Sequence, residues 1–262
     1  MLALKLSLPL VLIGLSSLAG KRRGPSVSGW LASLPVIGGP VVFFLSLEQG
    51  RAFAARAARG SILGLISLVG FALVYSYSAP RASWVAATVA GWLAFLLITF
   101  LLDQIRFTLS LSVAASLSSL ALGAYLLPSG ATSRGSRPTM RGEILVRMLA
   151  AAILLLVLTT IAPLLGPMLS GLLTPFPVVT TILAVFIHRG EGAAAVARFL
   201  WGMLIGLFTF AVFFIVVSLT LAHSGTGIAF TLACLAAAVS HACLFWIVRN
   251  SKYFPAGQVE ES

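Results

Sequence analysis

Long apolar runs separated by short polar stretches make up most of the chain, and each run has a length that suits a helix crossing a membrane. A spanning helix needs about 20 mostly apolar residues. No run alternates apolar and polar positions with a period of two, so a membrane β-barrel is not indicated. Nine runs qualify, at residues 2–20, 24–47, 60–78, 83–102, 107–128, 145–164, 166–188, 198–222 and 226–248.

The second half of the chain repeats the first at an offset of 142 residues. From Gly24 to Ser76, 18 of 53 positions are identical at this offset, where about five would be expected from so biased a composition. Glycines, prolines and an arginine are among the identities. The predicted division is a first four-helix repeat at 1–106, a connector helix with a polar linker at 107–144, a second four-helix repeat at 145–250 and a polar tail at 251–262.

Four helices plus one connector make an odd number of crossings, so the second repeat enters the membrane from the opposite face. The predicted fold is therefore an all-α polytopic membrane protein with about nine transmembrane helices in two inverted four-helix repeats joined by a connector helix. An alternative stays open. If 24–47 and 166–188 are re-entrant, the count falls to seven and the two units become parallel.

Composition and charge agree with a lipid environment. Of 262 residues, 60% are apolar, 17 are Lys or Arg and only 6 are Asp or Glu, which excludes an ordinary soluble domain. The net charge of +11 reflects basic residues between the apolar runs, so no nucleic-acid partner is expected. With nine crossings, twelve basic residues lie on one side and five on the other, which predicts an outside N-terminus and a cytoplasmic C-terminus.

The second run of each unit is interrupted by prolines and glycines. Proline removes a backbone donor and clashes with the carbonyl one turn back, so both runs are predicted to be kinked or broken and buried against neighbours. Matching interrupted segments in two halves point to a transporter binding site, although a kink that only shapes packing is the alternative. The prolines are Pro25, Pro35 and Pro40 in the first unit, and Pro167, Pro175 and Pro177 in the second.

Candidate substrate-binding residues follow from these segments and from charged residues near them. Hydroxyls inside membranes often bond back to their own helix, and the charged residues could form loop ion pairs, so each has a structural alternative. The repeated arginines would suit an anionic solute or a lipid head group. The candidates are Ser28, Ser33, Pro35, Gly38, Gly39, Ser170, Thr174, Pro177, Thr180 and Thr181 in the segments, with Arg56, Arg198, Glu48 and Glu191 near their ends.

Catalytic and metal-binding residues are not predicted. No His/Cys cluster has metal-ligand spacing, no nucleophile motif occurs, and no carboxylate lies at the centre of a run, so no cofactor is expected. His241 alone among the histidines lies well inside a run. An ionisable residue there is a functional hypothesis, with hydrogen-bonded packing as the alternative. Gly60 with Gly64, and Gly202 with Gly206, predict close helix packing.

The stretch from Gly166 to Pro177, GPMLSGLLTPFP, followed by a helix ending at His188, resembles the GlpM-like family of small bacterial inner-membrane proteins. The likeness covers roughly residues 145–248. The first unit follows the pattern less well, because it has Ser33 where the second has Pro175. The resemblance implies a four-helix unit in a bacterial inner membrane, present here as a tandem, fused version, and implies almost nothing about mechanism.

Together these patterns predict a small secondary transporter or flippase-like permease that is not an enzyme, with the bilayer and a small solute or lipid head group as its partners. The alternative is a non-transporting accessory subunit of an envelope-synthesis or transport complex, which would account for the scarcity of buried charge. Homo-oligomerisation or a partner membrane subunit stays open. A membrane enzyme acting on lipids is disfavoured by the sparse inventory of acids and bases.

Overall fold

Helices form all the regular structure in the described part of the chain, which in this computed structural model comprises residues 14–20, 22–36, 38–128 and 171–250, with Val11 and Leu149. No strand occurs among these residues. Short helical stretches cover 14–20 and 171–173. The longer helices are α1 (Pro25–Ala32), α2 (Gly38–Glu48), α3 (Arg51–Ser78), α4 (Trp84–Asp103), α5 (Leu109–Leu126), α6 (Val178–Glu191), α7 (Ala193–Ser224) and α8 (Thr226–Asn250).

Within the described residues, six segments are long and apolar enough to cross a membrane, so the all-helical prediction is confirmed and these helices are compatible with a multi-pass membrane protein. Most of the first predicted run, the linker, the run at 145–164 and the tail lie outside the described residues. The six segments are Arg51–Ser78, Trp84–Asp103, Leu109–Leu126, Gly171–Glu191, Ala193–Ser224 and Thr226–Ile247.

Two helices begin earlier than their apolar runs predicted. The run at 60–78 is the end of α3, which begins at Arg51, and the run at 198–222 lies within α7, which begins at Ala193. The added residues are rich in Ala in both helices and also in Arg in α3, and both residue types favour helix strongly although Arg lowers hydropathy. Each helix follows a glycine with positive φ, Gly50 at 86° and Gly192 at 89°, a conformation that glycine adopts without a steric penalty.

The third helix of each unit lies at the centre. α3 and α7 contact each other and are buried along most of their length, with Phe71, Tyr75, Phe199 and Phe214 fully enclosed. The helices α4, α5 and α8 lie outside them and expose large apolar side chains, which suits lipid contact. Ser83 and Thr108 cap the starts of α4 and α5 by accepting hydrogen bonds from Ala86 N and Leu111 N.

Candidate functional site at the two helix breaks

Each interrupted run contains a tight turn centred on a proline, which confirms the prediction that both runs are broken. In the first unit, Val36 N donates to Leu34 O at 2.8 Å across Pro35. In the second, Val178 N donates to Phe176 O at 2.7 Å across Pro177. Pro177 has φ −75° and ψ 55°, close to an inverse γ-turn. Proline suits this turn because its ring fixes φ near the required value.

The chain leaves both turns in the same way. Gly39 N donates to Pro35 O at 2.9 Å, and Thr181 N donates to Pro177 O at 2.8 Å. These bonds close the first turn of the helix that follows each break. Because Gly39 and Thr181 occupy equivalent repeat positions, the two breaks share their hydrogen-bond pattern as well as their proline.

The helical stretch before each break packs on the third helix of the other unit. An ideal Cβ on Gly29 in α1 would collide with the carbonyl oxygen of Phe199 in α7. An ideal Cβ on Gly171 would collide with the carbonyl oxygen of Ala57 in α3. Ala57 and Phe199 are 142 residues apart, as are Gly29 and Gly171. The two contacts are therefore equivalent under the repeat, with the units exchanging their broken segments.

We call these two helix–helix contacts, α1 on α7 and 171–173 on α3, the crossings between the units. A second pair of contacts extends each crossing to the break itself. Gly64 in α3 faces Pro175, whose Cγ would lie 2.6 Å from an ideal Cβ on that glycine. Gly206 in α7 faces the hydroxyl of Ser33. Ser33 and Pro175 are equivalent positions. These contacts confirm that Gly64 and Gly206 permit close helix packing, and they identify the neighbour as the other unit's broken segment.

The two breaks also contact each other. An ideal Cβ on Gly38, where α2 begins, would lie 2.9 Å from Cγ2 of Thr174 in the second break and 3.2 Å from Cζ of Phe214 in α7. Gly39 is similarly close to the ring of Phe213. The turns thus meet beside α7 and form one junction between the units, which we call the break junction.

Most candidate hydroxyls near the break junction are engaged within the protein. Ser33 Oγ donates to Trp30 O at 2.6 Å, as expected for a hydroxyl that bonds back to its own helix. Thr181 Oγ1 accepts from Trp92 Nε1 at 3.0 Å, and Thr180 Oγ1 lies 3.2 Å from Met203 Sδ. Ser28 and Pro177 are buried, whereas Pro35 and Thr174 are half-buried. Ser170 lies outside the described residues.

The charged candidates lie near the starts of α3 and α7. Glu48 and Arg56 are exposed near the start of α3, whereas Glu191 and Arg198 are half-buried near the start of α7. Arg56 and Arg198 each belong to the first turns of their own unit's third helix. Both broken segments carry only uncharged side chains, at 25–47 and 171–187.

Aromatic side chains contact the end of α6, the helix that follows the second break. His188 in the last turns of α6 lies beside Tyr75 near the end of α3, with Nδ1 3.4 Å from the phenol oxygen. The guanidinium carbon of Arg189 lies 5.4 Å from the ring centroid of Trp84, where α4 begins. In the first unit, Ser46 Oγ donates to Thr226 Oγ1 at 3.3 Å, where α8 begins. Thr226 and Trp84 are equivalent positions.

A repeated polar pair was missed by the sequence analysis. Thr99 Oγ1 in α4 donates to Ser67 Oγ in α3 at 2.8 Å. At the equivalent positions of the second unit, His241 Nδ1 in α8 lies 3.1 Å from Thr209 Oγ1 in α7. Both positions are polar in both units, which is the signal that was available. Counting identities overlooked it, because Ser is replaced by Thr and Thr by His.

Comparisons with known proteins give no match to a protein-family model, a curated protein or a solved structure. The resemblance of 145–248 to the GlpM-like family stays a prediction. No group of three or more His, Cys, Asp or Glu within the described ranges is arranged to hold a metal ion. What the break junction offers chemically is hydroxyls, a sulfur, aromatic rings and backbone groups freed by the two turns.

Proposed function

We propose that the chain is a small inner-membrane permease, either a secondary transporter or a lipid flippase, built from two inverted units that move against each other around the break junction. The observation that carries the proposal is the reciprocal packing of Gly29 on Phe199 and of Gly171 on Ala57. Each unit thereby holds the other's broken segment, so motion of one unit changes the surroundings of both breaks.

The inverted arrangement is supported by the equivalent glycines at the starts of α3 and α7. Gly50 immediately precedes α3, whereas Gly192 follows a helix whose His188 contacts Tyr75 near the end of α3. The two glycines are therefore separated by most of the length of α3. Such separation is expected when equivalent ends of two units face opposite sides of a membrane, and nine crossings with an outside N-terminus follow from the same proposal.

A transport role is favoured by the form of the junction. Broken helices expose backbone groups that a continuous helix would satisfy internally, and paired breaks between two related units are a recurrent design of substrate sites. With uncharged segments on both sides, binding there would depend on hydrogen bonds to hydroxyl and backbone groups. Arg56 and Arg198, at the starts of their helices, would then attract anionic solutes or head groups at the two entrances.

Alternating access is tested by labelling a cysteine at Thr174 from each side of the membrane. The background variant carries Cys234→Ala and Cys243→Ala, which removes both free, exposed thiols. In right-side-out and inverted vesicles, a membrane-impermeant maleimide is expected to label Thr174→Cys from both sides. A matched Leu97→Cys variant, whose parent side chain is 60% exposed on α4, reports lipid-facing background. Labelling from only one side, or from neither, would contradict a moving junction.

Two further assays distinguish a lipid flippase from a solute carrier. Movement of a fluorescent phospholipid between the leaflets of reconstituted liposomes would identify a flippase, and uptake of radiolabelled solutes without lipid movement would identify a solute carrier. Inactivity in both assays, together with stable co-purification of one membrane partner, would favour the accessory-subunit alternative. Separation of inner and outer membranes before purification tests the bacterial inner membrane as the compartment, and we retain the proposed kinship to the GlpM-like family as a tandem, fused form.

A further inference from the structure

His241 occupies a position in the second unit that differs in one chemical property from its equivalent in the first. Ser67 with Thr99, and Thr209 with His241, are repeat-related hydrogen-bonded pairs between the third and fourth helices. Only the second pair contains a side chain that can bind a proton, the imidazole of His241. A hydroxyl is therefore enough to form the hydrogen bond between the third and fourth helices, and the imidazole occurs at this position in the second unit alone.

The imidazole also touches a broken segment directly. Its ring lies parallel to that of Trp30 in α1, with centroids 3.6 Å apart and an angle of 13° between the planes. Trp30 lies three residues before Ser33, whose hydroxyl donates a hydrogen bond to the Trp30 carbonyl. The residue of the second unit that is equivalent to Trp30 is Leu172. Because Leu172 has no ring, the stack occurs only at the pair that contains His241.

One nitrogen of the imidazole is placed to receive a proton. Nδ1 faces Thr209, whereas Nε2 is buried and has no hydrogen-bond partner within the described residues. If Nδ1 carries the hydrogen, Nε2 presents a lone pair to an incoming proton. If Nε2 carries it, protonation occurs at Nδ1 and Thr209 must turn its hydroxyl oxygen toward the ring. Either route ends with an Nε2–H donor that lacks an acceptor in this arrangement.

The charged side chains of the packed elements lie at or near the ends of those elements, and Cys243, two residues from His241, is exposed. α1 has no ionisable side chain. On α7, Arg198 and His223 lie near the two ends, roughly three turns or more from Thr209. α2 carries only Glu48, at its end, and the other titratable groups of α8 are Cys234 and Cys243, both exposed, and the terminal Arg249. Protonation would therefore place an uncompensated charge beside Trp30.

We propose that His241 is the proton-binding site of this permease, and that proton binding is coupled to displacement of α1. A buried donor without an acceptor is unfavourable, so the protonated ring favours an arrangement in which Nε2 reaches water or a carbonyl. Because the ring is stacked on Trp30, that arrangement moves α1 and with it the first break. The proton comes from water on one side and returns to water when the ring repacks. This inference rests on the proposed function and names its coupling ion.

The test uses the fluorescence of Trp30 as a function of pH, with the full chain in liposomes and no substrate. Replacing Trp84, Trp92, Trp201 and Trp246 by Phe leaves Trp30 as the reporter. Protonated histidine in contact with the indole is expected to lower the emission about two-fold along a one-proton curve. His241→Thr, which copies the pair of the first unit, should keep the fold and give a flat curve, and His241→Gln should also give a flat curve.

A flat curve in the chain that retains His241 would overturn the proposal, and so would an unchanged curve in His241→Thr. A thermal melt of each variant checks that it is folded, so that loss of the signal is assigned to the imidazole. The readout involves no transport. A one-proton curve with one-sided labelling of Thr174→Cys would therefore mean that the permease proposal fails while the proton site stands, and a flat curve with two-sided labelling would mean the reverse.

Discussion

The two crossings between the units are alike in their backbone contacts and different in their side chains. At one crossing Gly206 meets Ser33, and at the other Gly64 meets Pro175. The glycines are identical in both units because any Cβ there would displace a neighbouring backbone or break residue. The facing residues differ because each crossing needs only a small or compact group. The comparison shows that the repeat preserves the closeness of the helices more strictly than the chemistry between them.

The polar pairs deeper in the bundle differ in another way. Ser67 with Thr99 forms a plain hydroxyl contact, whereas Thr209 with His241 adds a titratable ring and a contact with Trp30. Here the geometry is kept and a new chemical property is added on one side. A transporter whose two halves do different work would be expected to diverge at such a point.

The largest expected effect concerns topology. Reporters active only inside or only outside the cell, fused after Gly50 and after Gly192, should report opposite sides of the membrane. The reason is that Gly50 immediately precedes α3, whereas His188, four residues before Gly192, contacts Tyr75 near the other end of α3. The measurement is the ratio of the two reporter activities for each fusion. Equal ratios at both sites would mean parallel units and would remove the rocking mechanism.

The next effect concerns the crossings themselves. Gly29→Val and Gly171→Val should each destabilise the protein by about 3 kcal/mol or more, because the new side chain meets a backbone carbonyl that cannot move without shifting its helix. Thermal melts followed by size-exclusion chromatography in mild detergent measure the change. The two losses should be similar, since the contacts are equivalent under the repeat.

Gly227→Val is the matched control for this pair, because an ideal Cβ at Gly227 in α8 has no atom within 4 Å. It should melt close to the parent chain. If Gly29→Val is tolerated while Gly171→Val is not, the crossings are unequal and the reciprocal packing of the units is wrong.

A smaller effect is expected from the hydroxyl pair of the first unit. Ser67→Ala and Thr99→Val should each cost about 0.6 kcal/mol, the typical value for a hydrogen bond between membrane helices. The double variant should cost less than the sum of the two, because the second change removes a group that has already lost its partner. Reversible unfolding in mixed micelles gives the values. Strict additivity would show that the pair makes no net contribution.

The smallest effect concerns the outer helices. Leu93 in α4 and Leu235 in α8 occupy equivalent positions and are 62% and 60% exposed. Truncation of either to Ala should change stability by less than about 0.5 kcal/mol, because these side chains face lipid and leave no cavity. A clear loss of stability or of oligomer size for one variant would instead indicate a protein partner on that face, as the accessory-subunit alternative requires.

The sequence was sufficient for features that depend on composition and on backbone chemistry. Apolar runs predicted the helices, and Pro35 and Pro177 predicted the breaks, because proline acts locally wherever it occurs. The contact between Gly171 and Ala57 was beyond reach, since a repeat shows that two segments are alike and not which segment each one touches. The role of Ser67 was also hidden, because a hydroxyl gains its significance from the helix that packs beside it.

The extension of α3 back to Arg51 shows a further reason for the differences. Hydropathy identified the apolar part of the helix that suits lipid. The helix itself extends further, through Ala and Arg residues that favour helix but are less apolar on average. In the same way, the candidate residues Ser33, Thr180 and Thr181 lie beside the breaks, whereas their binding role stays a prediction. Their partners Trp30, Met203 and Trp92 could be known only from the packing.

The reciprocal packing has a consequence for synthesis on the ribosome. α1 emerges early, yet the surface that Gly29 occupies includes Phe199, which is made about 170 residues later. The newly inserted first half must therefore wait in the bilayer with one broken segment lacking its final neighbour. A ribosome that stalls in the linker would leave a fragment ending after α5 with an open groove, a substrate for quality-control proteases. Completion of the second half closes both grooves at once.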